Sequence, residues 1–237
     1  MQDGIAARVG AQDWPGLAAT LDAHGAAATD ALLTPEECQE LRCRWSDEAG
    51  FRSRVVMARH GFGRGEYQYF AYPLPPAVAV LRAALYPRLA PLANAWAEAL
   101  GEARRFPPDH AAYLATCHAA GQAKPTPLLL RYGPGDWNAL HQDLYGEQVF
   151  PLQVAILLSE PEREFQGGAF VLTEQRPRMQ SRAEVVPLCQ GQAVIFATHR
   201  RPVRGSRGVY GVTLRHGVSR LHGGERFTLG VIFHDAA

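Results

Sequence analysis

Two periods of apolar residues divide the chain, and the change falls near residue 126. Beyond that point Phe150, Leu152, Val154, Ile156 and Leu158 occupy alternate positions, the two-residue period of a strand with one buried face. Leu128 to Tyr132 is a short apolar run ended by Gly133-Pro134-Gly135, and 165–172, 193–196, 210–216 and 226–233 read as further strands. Short strands separated by Gly and Pro turns predict a sandwich or jelly roll rather than a parallel sheet.

Before residue 126 the punctuation is mostly helical. Asp13-Trp14-Pro15 opens a short helix, with an acid at the cap and proline in the first turn. Thr34-Pro35-Glu36-Glu37 is a capping box that predicts a helix through about Trp45. Residues 54–72 read as two strands around the loop His60-Gly61-Phe62-Gly63-Arg64-Gly65. A long helical stretch over 76–100 is expected to be interrupted near Pro87 and Pro91, and another helix covers 109–119. The fold class is therefore α+β: a sandwich or jelly-roll core from about residue 126 onward, with a mostly helical N-terminal half packed on it. The expected division is an N-terminal helical extension, 1–53, and one domain over 54–237.

The 237 residues are 47% hydrophobic and 20% charged, an ordinary globular composition, and no apolar run is long enough to span a bilayer. The first twenty residues lack a basic stretch followed by an apolar core, so no membrane partner and a cytoplasmic location are expected. A net charge of +1 does not mark a nucleic-acid-binding chain. The distribution says more, because arginines including Arg176, Arg178, Arg182, Arg200, Arg201, Arg204, Arg207, Arg215 and Arg220 crowd the last third against few acids. They read either as solvated surface or as a basic rim able to meet phosphates. Cys38, Cys43, Cys117 and Cys189 form no C-x-x-C pair and are expected to be reduced and packed.

The candidate chemistry begins at His141-Gln142-Asp143, whose first and third residues share a face in an extended chain. His216, at the end of the 210–216 strand, is the candidate third ligand. Two histidines and one carboxylate leave open positions on an octahedral iron(II), where a bidentate 2-oxo acid and O2 bind together. Arg226 and Thr228 share a strand face ten and twelve residues further on. A guanidinium beside a hydroxyl suits the far carboxylate of a dicarboxylate such as 2-oxoglutarate. His199 and His222 read as loop residues, and His234 as capping or exposed.

These residues resemble the iron(II)- and 2-oxoglutarate-dependent oxygenase superfamily over about Thr126 to Asp235, and the resemblance implies that family's double-stranded β-helix (jelly-roll) core at about 126–235. The Arg131-Tyr132-Gly133-Pro134-Gly135 run ending in Leu140-His141-Gln142-Asp143 looks like the alkylated-DNA-repair dioxygenases. Gly167-Gly168 and the spacing from His216 to Arg226 look more like prolyl 4-hydroxylases. From Met57 to the C-terminus the chain is similar to a bacterial family described as oxygenases of damaged nucleic acid. The resemblance implies hydroxylation of an N-methyl carbon with loss of formaldehyde, Tyr132 bonding the co-substrate and Arg226 holding its distal carboxylate. The chain departs from the repair pattern at Tyr145, where an acid contacts the base, at Leu130, where an asparagine stands, and at Ile232, where a second arginine stands.

Arg59, Arg64, Tyr67 and Tyr145 are the candidate substrate contacts, since basic residues interleaved with aromatics suit phosphate contact and base stacking. The expected partner is alkylated single-stranded DNA or RNA. A peptide or free amino acid is the alternative the prolyl 4-hydroxylase likeness implies. A non-catalytic β-helix binding module is the third reading, against which the intact triad and Arg226 argue.

Overall fold

The computed structural model describes residues 2–144, 146–206 and 208–237. Helices α1 (Gln2–Gly10) and α2 (Trp14–His24) lead to strand β1 (Ala26–Ala28) and helix α3 (Pro35–Cys43). Strands β2 (Phe51–Val56), β3 (Gly63–Arg64) and β4 (Glu66–Phe70) precede α4 (Pro76–Ala99) and α5 (His110–Ala119). Strands β5 (Leu128–Tyr132), β6 (Trp137–His141), β7 (Leu152–Leu157), β8 (Phe165–Gly167), β9 (Phe170–Gln175) and β10 (Arg182–Val186) follow. The chain ends with β11 (Ala193–Ala197), β12 (Arg200–Gly205), β13 (Gly208–Val218), β14 (Leu221–Gly224) and β15 (Arg226–Val231).

A major sheet runs in the order β1-β11-β7-β15-β5-β4-β2, and a minor sheet in the order β10-β9-β13-β6-β3, with β12 also paired to β13. The strand pairs are antiparallel throughout. The result is the mixed helix and antiparallel-sheet class that the two periods predict. Leu152, Val154 and Ile156 face the helical side and join the main apolar core. The opposite face of the same sheet looks across a cavity toward the minor sheet.

Local chemistry explains the helix starts. The Asp13 carboxylate accepts the Gly16 amide at 3.1 Å and the Asp109 carboxylate accepts the Ala112 amide at 2.8 Å, each satisfying a donor that the first turn leaves free. Thr34 and Glu37 cap one another reciprocally, with Glu37 N donating to Thr34 Oγ1 at 3.3 Å and Thr34 N donating to Glu37 Oε2 at 2.8 Å. This helix stops at Cys43, and the expected residues up to Trp45 fall in a tight 3-10 turn, Arg44–Ser46.

One expectation fails in α4, which runs unbroken through Pro87 and Pro91. The two prolines lie four residues apart on the exposed side, where water can reach the carbonyls they leave unpaired. Leu81, Leu85, Leu89 and Trp96 hold the other side in the core, and that burial outweighs the missing hydrogen bonds.

Residues 1–53 share this core. Ile5, Val9, Leu17 and Leu21 are buried in it, and β1 pairs Ala26 with Phe196 at the edge of the major sheet. At the other end, buried Arg82 of α4 donates to the Ile232 carbonyl at 2.7 Å and meets Asp235 in an ion pair at 2.7 Å. His234 is buried rather than exposed, its Nδ1 accepting the Phe150 amide at 3.3 Å. His222 lies in β14 rather than a loop. The four cysteines are free; Cys38 and Cys117 are buried as expected, whereas Cys43 and Cys189 are exposed. Among the described residues no helix is long and apolar enough to cross a membrane.

Candidate active site

Strands β6 and β13 lie side by side with His141 opposite His216. Two residues of β13 then face three of β6, since Val218 pairs with Asn138. This bulge breaks the two-residue alternation, so both Asn138 and His141 turn into the cavity. The imidazole centroids of His141 and His216 are 4.2 Å apart. Asp143, two residues past His141, reaches both rings, with one carboxylate oxygen 3.5 Å from His141 Nε2 and the other 3.5 Å from His216 Nε2. One ligand atom from each residue falls within 4.8 Å of the other two, a spacing that a single ion can bridge.

The protonation states suit ligation. His141 Nδ1 donates to the Ala139 carbonyl at 2.7 Å, which leaves the Nε2 lone pair facing Asp143. Burial pushes the His216 pKa down despite Asp143 nearby, favouring the neutral ring. Burial also opposes ionisation of Asp143, but the hydrogen bond and charge of His216, with His141 and Gln153, outweigh it and bring its pKa to about 2.

Arg226 enters the same cavity from β15, where it pairs in register with Tyr132 of β5. Arg226 is only 3% exposed, and among the described residues its guanidinium has no carboxylate partner. It donates from Nη1 to Thr228 Oγ1 at 2.6 Å, while its Nε has no acceptor. Burial pushes its pKa down to about 10, against the opposing influence of Tyr132. The Tyr132 hydroxyl is buried near Asn138 without a hydrogen bond of good geometry. Buried polar groups of this kind are normally partnered. An unpaired cation, a free donor and a phenol on one wall therefore mark a place for an anionic ligand.

Space for the arginine comes from a glycine. Gly167 and Gly168 have φ of 77° and 61°, a backbone state that side chains disfavour. The expected strand 165–172 is accordingly split between β8 and β9. A Cβ on Gly168 would come within 3.0 Å of Arg226 Cδ.

The candidate substrate contacts separate. Tyr67 lines the cavity with Tyr69 and Phe62, and Phe62 stacks on His60 at 5.4 Å. Arg64 lies outside the cavity and faces Asp136 at 3.7 Å. Arg59 is exposed in the 3-10 turn Met57–Arg59, also away from the cavity, because the chain turns there before the glycine-rich loop brings Phe62 inward. Tyr145 and Arg207 lie outside the described residues. Leu130 and Ile232, the departures from the repair pattern, both line the cavity and make that wall apolar. Sequence reasoning missed Asn138 and Gln153. Gln153 carried a signal, since it is the one polar residue in the otherwise apolar strand Leu152–Leu157.

Two histidines and a carboxylate beside an arginine-lined acid pocket define the class as a non-haem iron oxygenase. Residues 65–236 match the family described as an oxygenase catalysing oxidative methylation of damaged DNA. The chain belongs to this family. It is 53% identical over 168 residues to an uncharacterised protein of Mycobacterium tuberculosis, covering 71% of this chain and 72% of that one. Its fold is similar to a Pseudomonas putida prolyl-4-hydroxylase, with a TM-score of 0.54, 17% identity, and coverage of 94% of this chain and 100% of that one. A 2OG-Fe(II) oxygenase-family oxidoreductase of Burkholderia pseudomallei gives a TM-score of 0.54 at 15% identity, covering 94% and 93%. The non-heme alpha ketoglutarate dependent epimerase SnoN from nogalamycin biosynthesis gives 0.56 at 16% identity, covering 94% and 82%.

Proposed function

We propose that this protein oxidatively demethylates alkylated nucleic acid, with iron(II) held by His141, Asp143 and His216 and 2-oxoglutarate held by Arg226, Thr228 and Tyr132. The observation that carries the reading is the buried Arg226, without a carboxylate partner among the described residues, opening on the same cavity as the three candidate ligands. On this reading the two antiparallel sheets are the halves of a jelly roll, and the metal lies between them.

Bound iron and co-substrate supply oxidation of a C–H bond by O2, with 2-oxoglutarate becoming succinate and CO2. The chain's own residues place the reactants. Arg226 grips the distal carboxylate with Thr228 beside it, Tyr132 donates its phenolic hydrogen, and the apolar walls at Leu130 and Ile232 exclude water. Phe62, Tyr67 and Tyr69 line the same cavity and give it an aromatic wall against which a planar group could pack. Hydroxylation of an N-methyl group there gives an N–CH2–OH product, which releases formaldehyde and leaves the N–H base.

The test is iron-reconstituted protein supplied with 2-oxoglutarate and, in parallel, methylated single-stranded oligonucleotides, peptides and free amino acids. Formaldehyde formed in step with succinate from the oligonucleotides is expected. Hydroxylated peptide or amino acid, with no formaldehyde from any oligonucleotide, would replace this reading with the side-chain hydroxylase.

A further inference from the structure

The outer face of the minor sheet carries charge that neither the metal nor the acid pocket uses. On β12, Arg201 and Val203 turn inward, which leaves Arg200 and Arg204 outward and exposed. On β13, Val212, Leu214 and His216 are buried, so Arg215 projects from the opposite side and is exposed. Register places Arg200 opposite Thr213 and Arg204 opposite Val209. From the rise of an extended strand, Arg204 and Arg200 are roughly 13 Å apart, and Arg215 extends the line to about 20 Å.

The arginines have no acid to answer. Their nearest outward neighbours across the sheet include Thr173, Gln175 and Thr213, and no outward position of β9, β10, β12 or β13 holds an acid. Glu174, the acid of β9, is buried on the other side, where Arg176, Arg182 and Arg201 pair with it. Among the described residues Arg200, Arg204 and Arg215 form no ion pair. Gly211 clears room on this face, since a Cβ there would come within 2.3 Å of the Arg200 guanidinium. Further along, toward Val218 and Asn138, the same face presents Trp137, which is 40% exposed and pairs with Arg64.

We infer that this stripe holds the phosphate backbone of a single-stranded nucleic acid outside the cavity. The inference deepens the proposed function and rests on it for the choice of a nucleic acid over another polyanion. Charge complementarity supports it: an acid-free line of forked guanidinium groups and hydroxyls meets repeated phosphates without reading sequence, and the exposed Trp137 indole further along the same face offers a stacking surface. A single strand is the occupant because an enzyme acting on a base needs that base unpaired.

The experiment measures binding of a fluorescent, unmodified single-stranded DNA to the full chain over a range of salt concentrations. The triple variant Arg200→Ala, Arg204→Ala, Arg215→Ala is compared with a charge-matched control, Arg88→Ala, Arg104→Ala, Arg105→Ala, drawn from exposed positions elsewhere. Loss of three phosphate contacts is expected to weaken binding roughly tenfold or more at low salt and to flatten the log–log salt slope by about 2. The single variant Arg215→Glu is expected to weaken binding in the same assay. Equal effects from both triple variants, no loss with Arg215→Glu, or equally tight binding of poly-glutamate would each overturn the inference. Succinate formation without nucleic acid, and formaldehyde from a methylated dinucleotide too short to reach the stripe, report on the cavity alone and are expected to be unchanged in the triple variant. Failure of those cavity signals in the unaltered protein would count against the demethylase reading, whereas the stripe stands or falls on the binding data.

Discussion

A buried guanidinium without a carboxylate beside it is costly unless a ligand completes it, and Arg226, 3% exposed and without such a partner among the described residues, is in that condition. Supplying the anion restores a charge-assisted pair, so the residue should act on co-substrate affinity and leave the metal alone. Arg226→Ala is expected to weaken 2-oxoglutarate binding by about 2–4 kcal/mol, or roughly thirty- to several-hundredfold. Iron affinity should stay within a few-fold, as measured by titration with and without the oxo acid. Loss of iron binding with unchanged demand for 2-oxoglutarate would assign Arg226 elsewhere. Asp143 predicts the opposite split, because its oxygens are the ones shared by both imidazoles. Asp143→Ala should weaken iron binding by more than about a hundredfold and remove succinate formation at any 2-oxoglutarate concentration. Strong iron binding in that variant would remove Asp143 from the ligand set.

At the scale of elements, the glycine pair between β8 and β9 connects backbone shape to the acid pocket. Gly168 has φ of 61°, and an added methyl would approach Leu221 Cδ1 at 2.8 Å as well as the Arg226 side chain. Gly168→Ala should therefore cost about 1–3 kcal/mol in a denaturant titration and also raise the 2-oxoglutarate requirement. A stability loss with unchanged co-substrate demand would show that Arg226 moves independently of the turn. The break at this glycine pair was not legible, since 165–172 reads as one strand, whereas the candidate ligand pair at 141 and 143 was, because a two-residue spacing already fixes a common face in an extended chain. The bulge that turns Asn138 inward was not legible, since it depends on how β6 and β13 register rather than on local composition. Nor was β1, because Ala26 to Ala28 forms a strand only by pairing with β11. Pro87 and Pro91 misled for a related reason: local breaking chemistry lost to an apolar face buried along the whole of α4.

Across the whole molecule, the C-terminal residues lock helices to sheet around buried histidines that have stayed neutral, and this sets a pH limit on the fold. His110 donates from Nε2 to the Phe233 carbonyl at 2.8 Å, and His234 accepts the Phe150 amide. Burial, followed by the charge of Arg82, pushes both pKa values down to about 4. In the unfolded chain each returns to an ordinary value near 6.5. Between those values the unfolded state binds protons that the folded state refuses, so stability rises with pH through this window and falls as pH drops from about 6.5 to 4. Asp235 acts in a lower window: burial opposes its ionisation, but Arg82, His118 and Tyr72 outweigh it and lower its pKa. Its contribution is present above the ordinary carboxylate value near 3.9 and is lost as pH falls further, through its depressed folded value. Chemical unfolding of the metal-free protein from pH 7.5 to 4.5 isolates the histidine effect. The midpoint should decline with acid, and His110→Gln, which keeps a side-chain donor for the Phe233 carbonyl, should make that decline shallower even if it lowers stability at pH 7.5. An equal decline in both proteins would mean that His110 does not set the acid limit of the fold.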